Sequence, residues 1–262
     1  MNVGFIGAGN MGGALARAIS KDLETVVYIY DKNEEKSSAL AEITGGFSST
    51  FGEVIEKSDF LFLGVKPNII AQICEAIGKE CRKDTVIVSM AAGVKILKIE
   101  ESLGARLPMI RIMPNTPVAV GEGLTAYSKN DLVTSDTEEA FKKIMSLTGT
   151  LVHVEESEID AFCAIAGCGP AYAYMFIEAL AKGSEACGIP RDRAIFYASK
   201  MIRGSAIMAL ESGIDPKTLR ENVCSPGGAT IEGVKLLEKC GFSDSVSSAI
   251  DAAYKRTLEL GK

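Results

Sequence analysis

The stretch VGFIGAGNMGGALARAI, residues 3–19, begins with a short apolar run, continues into a glycine-rich turn and ends in a helix-like segment. The turn is Gly7-Ala8-Gly9-Asn10-Met11-Gly12, which has the spacing G-x-G-x-x-G. Gly7 suits a tight turn, Gly9 allows the main chain to approach a pyrophosphate, and Gly12 allows the helix to pack closely on the strand. The pattern predicts a dinucleotide-binding βα unit, with a plain tight turn as the alternative.

Asp31 closes the second apolar run, about 20 residues beyond the glycine-rich turn. A carboxylate at this position accepts hydrogen bonds from the adenosine ribose hydroxyls and repels a 2′-phosphate, which favours NAD(H). Lys32 and Asn33 follow directly and are suited to receive that phosphate, which favours NADP(H). These residues leave the choice between the two cofactors open.

Short apolar runs alternate with helix-like segments up to about residue 156. This alternation predicts right-handed βαβ units, and hence an α/β fold with a Rossmann-type doubly wound sheet over residues 1–156. The expected strands are VGFI, TVVYIYD, DFLFLGV, TVIVSM, MIRIM and TLVHV, and the expected helices are Met11 to Lys21, Glu34 to Glu42, Asn68 to Lys79 and Ser135 to Leu147.

The strand signals stop after residue 156, and residues 157–262 are expected to form an all-α C-terminal dimerisation and substrate-binding domain. Apolar residues occupy most of the circumference of the helices between residues 170 and 212, which predicts burial against another subunit. The expected helices are 157–166, 170–187, 191–212, 216–223, 229–239 and 243–260.

The charge balance and the single histidine exclude several classes of function. The 262 residues include 28 Lys+Arg against 34 Asp+Glu, so no broad basic surface is expected and nucleic acid is a poor partner. His153 is the only histidine, and we expect an ordinary strand residue there rather than part of a catalytic unit or a metal site. Glu155, Glu156 and Asp160 form the nearest acidic cluster, for which a solvated helix start is favoured over a general-acid role.

The seven cysteines include no C-x-x-C pair, which predicts reduced thiols and a cytoplasmic protein. Neither a signal peptide nor a transit peptide is expected at the N-terminus. The apolar stretch Ala171 to Ala181 is interrupted by Glu178 and is shorter than the roughly 20 residues that span a bilayer. We therefore expect a buried helix there and no membrane partner.

Three further loops are candidate ligand sites. Gly64-Val65-Lys66-Pro67 and Met90-Ala91-Ala92 follow strands, at the edge where a doubly wound sheet has its ligand crevice, although ordinary strand-to-helix turns remain the alternative. In the third loop, residues 225–233, two glycines precede a helix whose first N–H groups suit a small carboxylate, with Thr230 in its first turn. The alternative is a helix connector with a Ser or Thr cap.

Several motifs together resemble those of pyrroline-5-carboxylate reductases, from the first strand to the last helix. They are GFIGAGNMG at 4–12, VKP at 65–67, SMAAGV at 89–94, RIMPNTP at 111–117, GCGPAY at 167–172 and NVCSPGGATIE at 222–232. The last is the family's signature segment. Ala166 and Cys168 depart from the family, in which many members have serine at both positions, and this places a structural hydrogen bond in doubt.

The resemblance implies a Rossmann domain followed by a helical domain that interleaves in a homodimer, with a decamer of dimers left open as a higher assembly. The cyclic imine is expected to contact Ser225, Gly228, Ala229 and Thr230 of the partner subunit, with Thr230 in the catalytic role. Together with the position of Asp31, the resemblance gives these cofactor-binding residues: Gly7, Ala8, Gly9, Asn10, Met11, Asp31, Lys32, Asn33, Gly64, Val65, Lys66, Pro67, Met90, Ala91, Ala92 and Asn222.

The implied reaction is hydride transfer from NAD(P)H, with NADP(H) favoured and NAD(H) also possible, to Δ1-pyrroline-5-carboxylate, giving L-proline in the last step of proline biosynthesis. A cyclic imine carries its own proton, so no strong enzymatic acid is required. One alternative is another imine- or keto-reducing enzyme of similar layout, such as a β-hydroxyacid dehydrogenase. Resemblance to that family would imply a catalytic lysine in the first helix of the second domain, whereas the first lysine after the segment 164–172 is Lys182. The other is a nucleotide-sensing protein without catalysis.

Overall fold

The computed structural model describes residues 1–261, and its N-terminal part is built on one eight-stranded sheet. The strand order is β3-β2-β1-β4-β5-β6-β7-β8, and all neighbours are parallel except β6 and β7. The strands are β1 (Asn2–Ile6), β2 (Val26–Tyr30), β3 (Phe47–Ser48), β4 (Phe60–Leu63), β5 (Val86–Ser89), β6 (Met109–Met113), β7 (Gly123–Lys129) and β8 (Gly149–His153).

Helices lie between the strands, and apolar residues of β1, β2, β4, β5 and β6 pack on both sides of the sheet. Phe5 and Phe62 stack with ring centroids 4.9 Å apart within one core cluster, and Ile6 and Leu61 belong to the other. Burial on both faces requires such continuous apolar strands. The helices are α1 (Asn10–Ile19), α2 (Glu34–Thr44), α3 (Phe51–Lys57), α4 (Ile70–Glu80), α5 (Ile96–Leu103) and α6 (Ser135–Met145).

The carboxyl ends of the central strands are level, and this determines where a ligand crevice opens. Ile6 at the end of β1 pairs in register with Tyr30 of β2 and with Leu63 of β4, and Leu63 pairs with Ser89 of β5. The chain order reverses at β1, which lies between β2 and β4. The crevice of a doubly wound sheet is located at such a switch point.

The six predicted strands are confirmed, whereas β3, β7, α3 and α5 were missed by the sequence analysis. The β7 sequence, GLTAYSK, mixes small and polar residues, although five of its seven positions are buried. Its partner β6 runs antiparallel to it, so this connection does not repeat the βαβ pattern from which the other strands were predicted. The sheet is therefore larger than the sequence indicated.

The remainder of the chain is helical, as predicted. These helices are α7 (Ile159–Phe162), α8 (Gly169–Ala186), α9 (Arg191–Glu211), α10 (Pro216–Asn222), α11 (Ala229–Lys239) and α12 (Phe242–Leu260), with a π-helical turn at Cys163–Gly167 between α7 and α8. The chain forms two compact units, of which one comprises Met1–Pro170 with the residues from Ala252 onward and the other comprises Ala171–Asp251. The domain boundary predicted at residue 156 follows the order of strands and helices along the chain. The two units instead group residues by their contacts in space.

The second unit leaves many large apolar side chains exposed. Tyr174 and Met175 on α8 are 60% and 68% exposed, and Ala181 is the one buried residue of that helix. The expectation of a buried helix is therefore not met within one chain. The helical stretch Glu156–Ala186 has 31 residues and contains an 18-residue window with a mean hydropathy of 1.3, so it is long and apolar enough to cross a membrane by length and composition only.

Arg111 of β6 is the largest fully buried side chain, and it ties the sheet to the start of the helical region. Its guanidinium donates to Asp160 at 2.5 Å and lies 3.5 Å from Glu156, while Glu156 also accepts from the main-chain N–H of Ile96 at 2.7 Å. Asp160 is 5% exposed and paired, so the expectation of a solvated acidic helix start is wrong for this residue. The sequence does not indicate that Arg111 is buried, and its positive charge stabilises the Asp160 carboxylate inside the protein.

Replacing Arg111 by Met is expected to lower the free energy of unfolding by about 3 to 5 kcal/mol, because it leaves the buried Asp160 carboxylate without a counter-charge. Urea denaturation followed by circular dichroism measures the change. Adding Asp160→Asn should recover part of the loss. Arg106→Met is the matched control, since this exposed partner of Asp131 should contribute less than about 1 kcal/mol. Equal effects of the Arg111 and Arg106 variants would contradict the prediction.

Candidate active site

Three main-chain segments meet closely at the switch point, and two glycines make this possible. Gly7 has a φ of +104°, and a Cβ added there would lie 2.6 Å from the carbonyl oxygen of Gly64. A Cβ on Gly12 would lie 2.4 Å from the carbonyl oxygen of Gly7. The main chain of Gly7 donates to Tyr30 O at 2.8 Å, so the turn is fixed to the neighbouring strand. The glycine requirement predicted for Gly7 and Gly12 has this steric cause.

Gly9 differs from the other two glycines because its surroundings are open. A Cβ added there would have no atom within 4 Å, and its φ of −70° is accessible to any residue. Gly9 is the N-cap of α1, and no side chain caps this helix in the described part of the chain. The first N–H groups of α1 are therefore available to an anion. This open cradle fits the pyrophosphate of a dinucleotide.

The carboxylate of Asp31 is fixed by two main-chain donors. The N–H of Ala8 donates to Oδ2 at 2.7 Å, and the N–H of Asn33 donates to Oδ1 at 2.9 Å. The side-chain oxygen of Asn33 in turn accepts from the N–H groups of Glu35 and Lys36, and so caps α2. Asp31 thus links the end of β2 to the glycine-rich turn, and the Asn33 oxygen is committed to the helix.

A cleft of about 590 Å³ opens at this point, at the carboxyl ends of β1, β2 and β4. It brings together several predicted cofactor residues: Gly7, Gly9, Asp31, Lys32, Gly64, Val65 and Lys66. Tyr30, Ile69, Gln72 and Ile73 also line it and were missed. The last three follow the VKP motif at spacings i, i+3 and i+4, which is typical of one face of a helix. A helix predicted to start at this motif would therefore have placed all three on the same side.

Other predicted cofactor residues lie outside the lining of this cleft: Ala8, Asn10, Met11, Asn33, Pro67, Met90, Ala91 and Ala92. Ala8, Met11 and Met90 pack against the sheet core, and Ala91 is 1% exposed. The side chain of Ala91 is therefore not open to a ligand. Asn222, at the end of α10, is exposed and belongs to the second unit.

The second glycine-rich loop forms a tight turn that leads directly into α11. Gly227 has a φ of +70°, and the N–H of Gly228 donates to Ser225 O at 3.0 Å. Gly228 is the N-cap of α11, and no side chain accepts from the start of this helix among the residues described. The alternative of a Ser or Thr cap is therefore wrong. Thr230, at the second position of the helix, is exposed and leaves the first-turn N–H groups open.

His153 ends β8 as an ordinary strand residue, which confirms the expectation for this position. It is exposed, and its ring lies 5.1 Å from that of Tyr127 on the adjacent strand.

Comparison with known proteins assigns the family. Human pyrroline-5-carboxylate reductase 2 is 40% identical over 268 residues, which span 99% of this chain and 84% of the human protein. The pyrroline-5-carboxylate reductase of Escherichia coli (strain K12) is 36% identical over 264 residues, which span 99% and 98% of the two chains. The chain belongs to the pyrroline-5-carboxylate reductase family.

Domain and structure comparisons agree with membership of the reductase family. A family model described as pyrroline-5-carboxylate reductase dimerisation matches residues 156–260, and one described as NADP oxidoreductase, coenzyme F420-dependent, matches residues 2–93. The crystal structure of Plasmodium falciparum pyrroline carboxylate reductase with NADP bound is similar, with a TM-score of 0.92 and 30% identity. The similarity covers 100% of this chain and 98% of that one.

The two departures from the reductase motif lie in and beside the π-helical turn. Asn115 donates from Nδ2 to the carbonyl oxygen of Ala166 at 3.1 Å, and its Oδ1 accepts from Leu124 N at 2.9 Å. This turn is thus held through a main-chain carbonyl, and a hydroxyl at residue 166 is not needed for it. Burial raises the pKa of the neighbouring Cys163 thiol, which keeps it protonated at neutral pH.

Two alanine substitutions in the glycine-rich turn are expected to have opposite consequences. Gly9→Ala should leave the melting temperature unchanged but weaken cofactor binding at least about tenfold, because its methyl group occupies the space of the pyrophosphate. Gly12→Ala should lower the melting temperature by several degrees, because its Cβ meets the Gly7 carbonyl oxygen.

Thermal melts with and without NADPH, together with titration of its fluorescence, measure both effects. Normal cofactor affinity in a folded Gly9→Ala variant would remove the pyrophosphate from this position.

Proposed function

We propose that this chain is a pyrroline-5-carboxylate reductase that transfers hydride from NAD(P)H to Δ1-pyrroline-5-carboxylate and so completes proline biosynthesis. One observation carries the assignment of the site: two long helices, α1 and α11, each begin at a glycine N-cap without a side-chain cap. Uncapped helix starts are receptors for anions. The reaction has two anionic reactants, a dinucleotide and a cyclic imino carboxylate.

The cleft at the sheet edge holds the cofactor in this proposal. The pyrophosphate lies on the N-terminus of α1 at Gly9, and Lys66, exposed at the cleft, supplies the nearby positive charge. The cofactor supplies the hydride when bound, and the protein contributes orientation and water exclusion. The Ala8 to Asp31 hydrogen bond keeps the glycine-rich turn in its receptive form before the cofactor arrives.

The loop from Ser225 to Thr230 receives the substrate carboxylate on the free N–H groups of α11. The hydroxyl oxygen of Thr230 accepts a hydrogen bond from the N–H of the iminium ring and so orients the iminium carbon. Because the iminium is already protonated, the chemistry requires no imidazole and no buried acid. A reaction without a protein acid agrees with two observations: His153 is exposed on β8, and Asp160 is paired with Arg111.

We infer that the active protein is a homodimer in which this loop serves the partner subunit, with residues 157–262 as the dimerisation and substrate-binding domain. The exposed apolar side chains of α8 and α9 support an interface between copies, and a decamer of dimers would extend it. All seven cysteines are free thiols, which supports a cytoplasmic location. The acidic net charge of −6 disfavours nucleic acid.

NADPH is the proposed cofactor, with NADH accepted in its place. Lys32 lines the cleft and is exposed beside the position of the adenosine ribose, where it suits a 2′-phosphate. Asp31 opposes this preference, because its fixed carboxylate lies at the same corner and repels that phosphate. The balance of these two charges determines the preference.

Asp31→Asn is expected to tighten NADPH binding about threefold to tenfold relative to NADH, because it removes one negative charge beside the 2′-phosphate. Dissociation constants from fluorescence titration at low and high salt measure this ratio, and the gain should shrink with salt. Asp84→Asn is the control, since this exposed carboxylate precedes β5 at the opposite end of the strands. An equal change for both cofactors would contradict the prediction.

Thr230→Ala is expected to lower kcat/KM for the imine about tenfold to a hundredfold, the value of a hydrogen bond to a charged group. Thr230→Ser should retain most of the activity, and both variants should keep the wild-type melting temperature because Thr230 is exposed and caps nothing. Steady-state kinetics with saturating cofactor measures the effect. An unchanged kcat/KM would remove Thr230 from the mechanism.

The decisive assay follows the absorbance of the reduced nicotinamide with pyrroline-5-carboxylate, using NADPH and NADH in parallel. Turnover that depends on the cyclic imine supports the reductase, and binding of cofactor without turnover favours a nucleotide sensor. Turnover with a β-hydroxy acid and oxidised cofactor in its place favours the dehydrogenase alternative.

A further inference from the structure

The last residues of the chain pack against the loop that joins β5 to α5. Residues from Ala252 onward, which include the second half of α12 and Gly261, group in space with the first unit. Within that unit they contact Gly93, in the loop that follows β5 at the ligand edge of the sheet, and Lys98 of α5. The end of the chain is thus close to the crevice side of the sheet, although it is distant in sequence.

The contact between these two segments is made main chain to main chain. Gly93 has a φ of +75°, and a Cβ added there would lie 2.5 Å from the carbonyl oxygen of Thr257 and 2.6 Å from the nitrogen of Gly261. Conversely, a Cβ on Gly261 would lie 2.0 Å from the carbonyl oxygen of Gly93. Two glycines, one in each segment, are therefore required for this approach.

Side chains hold the two segments together around this contact. Lys98 of α5 donates from Nζ to the carbonyl oxygen of Gly261 at 2.8 Å. Thr257 is 4% exposed, and its hydroxyl donates to Ala253 O at 2.9 Å, which leaves no polar group of that side chain unpaired. The terminal turn is therefore a fixed support and not a fraying helix end.

The loop depends on such outside support because its hydrogen bond to the sheet is long. The N–H of Met90 donates to Leu63 O at 3.5 Å, whereas the equivalent bond one strand away, from Gly64 N to Ile6 O, measures 2.8 Å. On its other side, Ala92 packs against the small cluster of Met113, Ile159 and Cys163. Packing on both sides therefore contributes to the position of residues 90–93, beside the hydrogen bonds from Ala91 N to Ser89 Oγ and from Val94 N to Ala91 O, each 3.3 Å long.

We propose that the terminal turn, Thr257 to Gly261, is a positioning element that holds the β5–α5 loop beside the cofactor crevice, at the edge where Ser89 of β5 is level with Leu63 of β4. This inference rests on the proposed function only in identifying the ligand as NAD(P)H. The observations behind it are the position of the loop at the end of β5, the close approach of Gly93 and Gly261, and the hydrogen bond from Lys98 to the Gly261 carbonyl oxygen. The terminal turn touches no reacting atom and acts through residues 90–93.

Three variants test the role: a chain that ends at Leu258, Gly261→Val and Lys98→Met. Each is expected to weaken NADPH binding about threefold to tenfold, while the kcat at saturating cofactor and the KM for the imine stay within about twofold. Glu259→Gln is the matched control, because the partner of this exposed side chain among residues 1–261 is the exposed Arg256. Gly261→Ala should show a smaller effect than Gly261→Val.

Binding is measured by NADPH fluorescence titration, so it reports on the inference without turnover. Wild-type NADPH affinity in the folded truncated chain, or a loss of kcat with unchanged affinity, would overturn the proposal. If the Gly261→Val chain does not fold, the truncated chain and Lys98→Met decide the outcome. An inactive wild-type enzyme whose variants still bind NADPH more weakly would reject the proposed reaction and support the positioning role.

Discussion

The crossing of three main-chain segments at Gly7, Gly12 and Gly64 is the constraint on which the site depends. A side chain at Gly12 would push α1 away from the end of β1, because its Cβ would lie 2.4 Å from the Gly7 carbonyl oxygen, and one at Gly7 would push this turn away from Gly64, whose carbonyl oxygen would lie 2.6 Å from its Cβ. The close approach places the start of α1 directly above the end of β1. It also leaves Gly9, the one open glycine of the turn, facing the crevice.

Backbone donors take the place of a basic surface in this chain. The net charge is −6, and the second unit places its own uncapped helix start at Gly228. Helix N-termini act over the first turn only, so each attracts an anion locally without a field that would attract polyanions. An acidic protein can in this way bind two anionic reactants. The single histidine is consistent with a substrate that brings its own proton.

Much of the fold and part of the site were accessible from the sequence, because glycine patterns and apolar runs act locally. The six predicted strands and the helices from α8 to α12 were found in this way, as were Gly7, Gly9, Asp31 and the Gly64 segment. The antiparallel β7 was not, because its burial comes from neighbours and not from its own polarity. The pairing of Arg111 with Asp160 joins residues 49 positions apart, and no local pattern announces it. Ala91 was placed at the cofactor by its motif, yet packing turns its side chain into the core.

The uncapped start of α11 has a consequence for how this protein is able to evolve. A Ser or Asp at Gly228 would cap the helix and stabilise it by about a few tenths of a kcal/mol, so simple selection for thermostability favours such a change. The same side chain would occupy the N–H groups proposed to receive the substrate and would act as a tethered competitor. The uncapped helix start therefore gives up some stability and keeps its N–H groups open to the substrate. Variants selected for heat resistance alone should lose activity, because a capping side chain would bind those N–H groups.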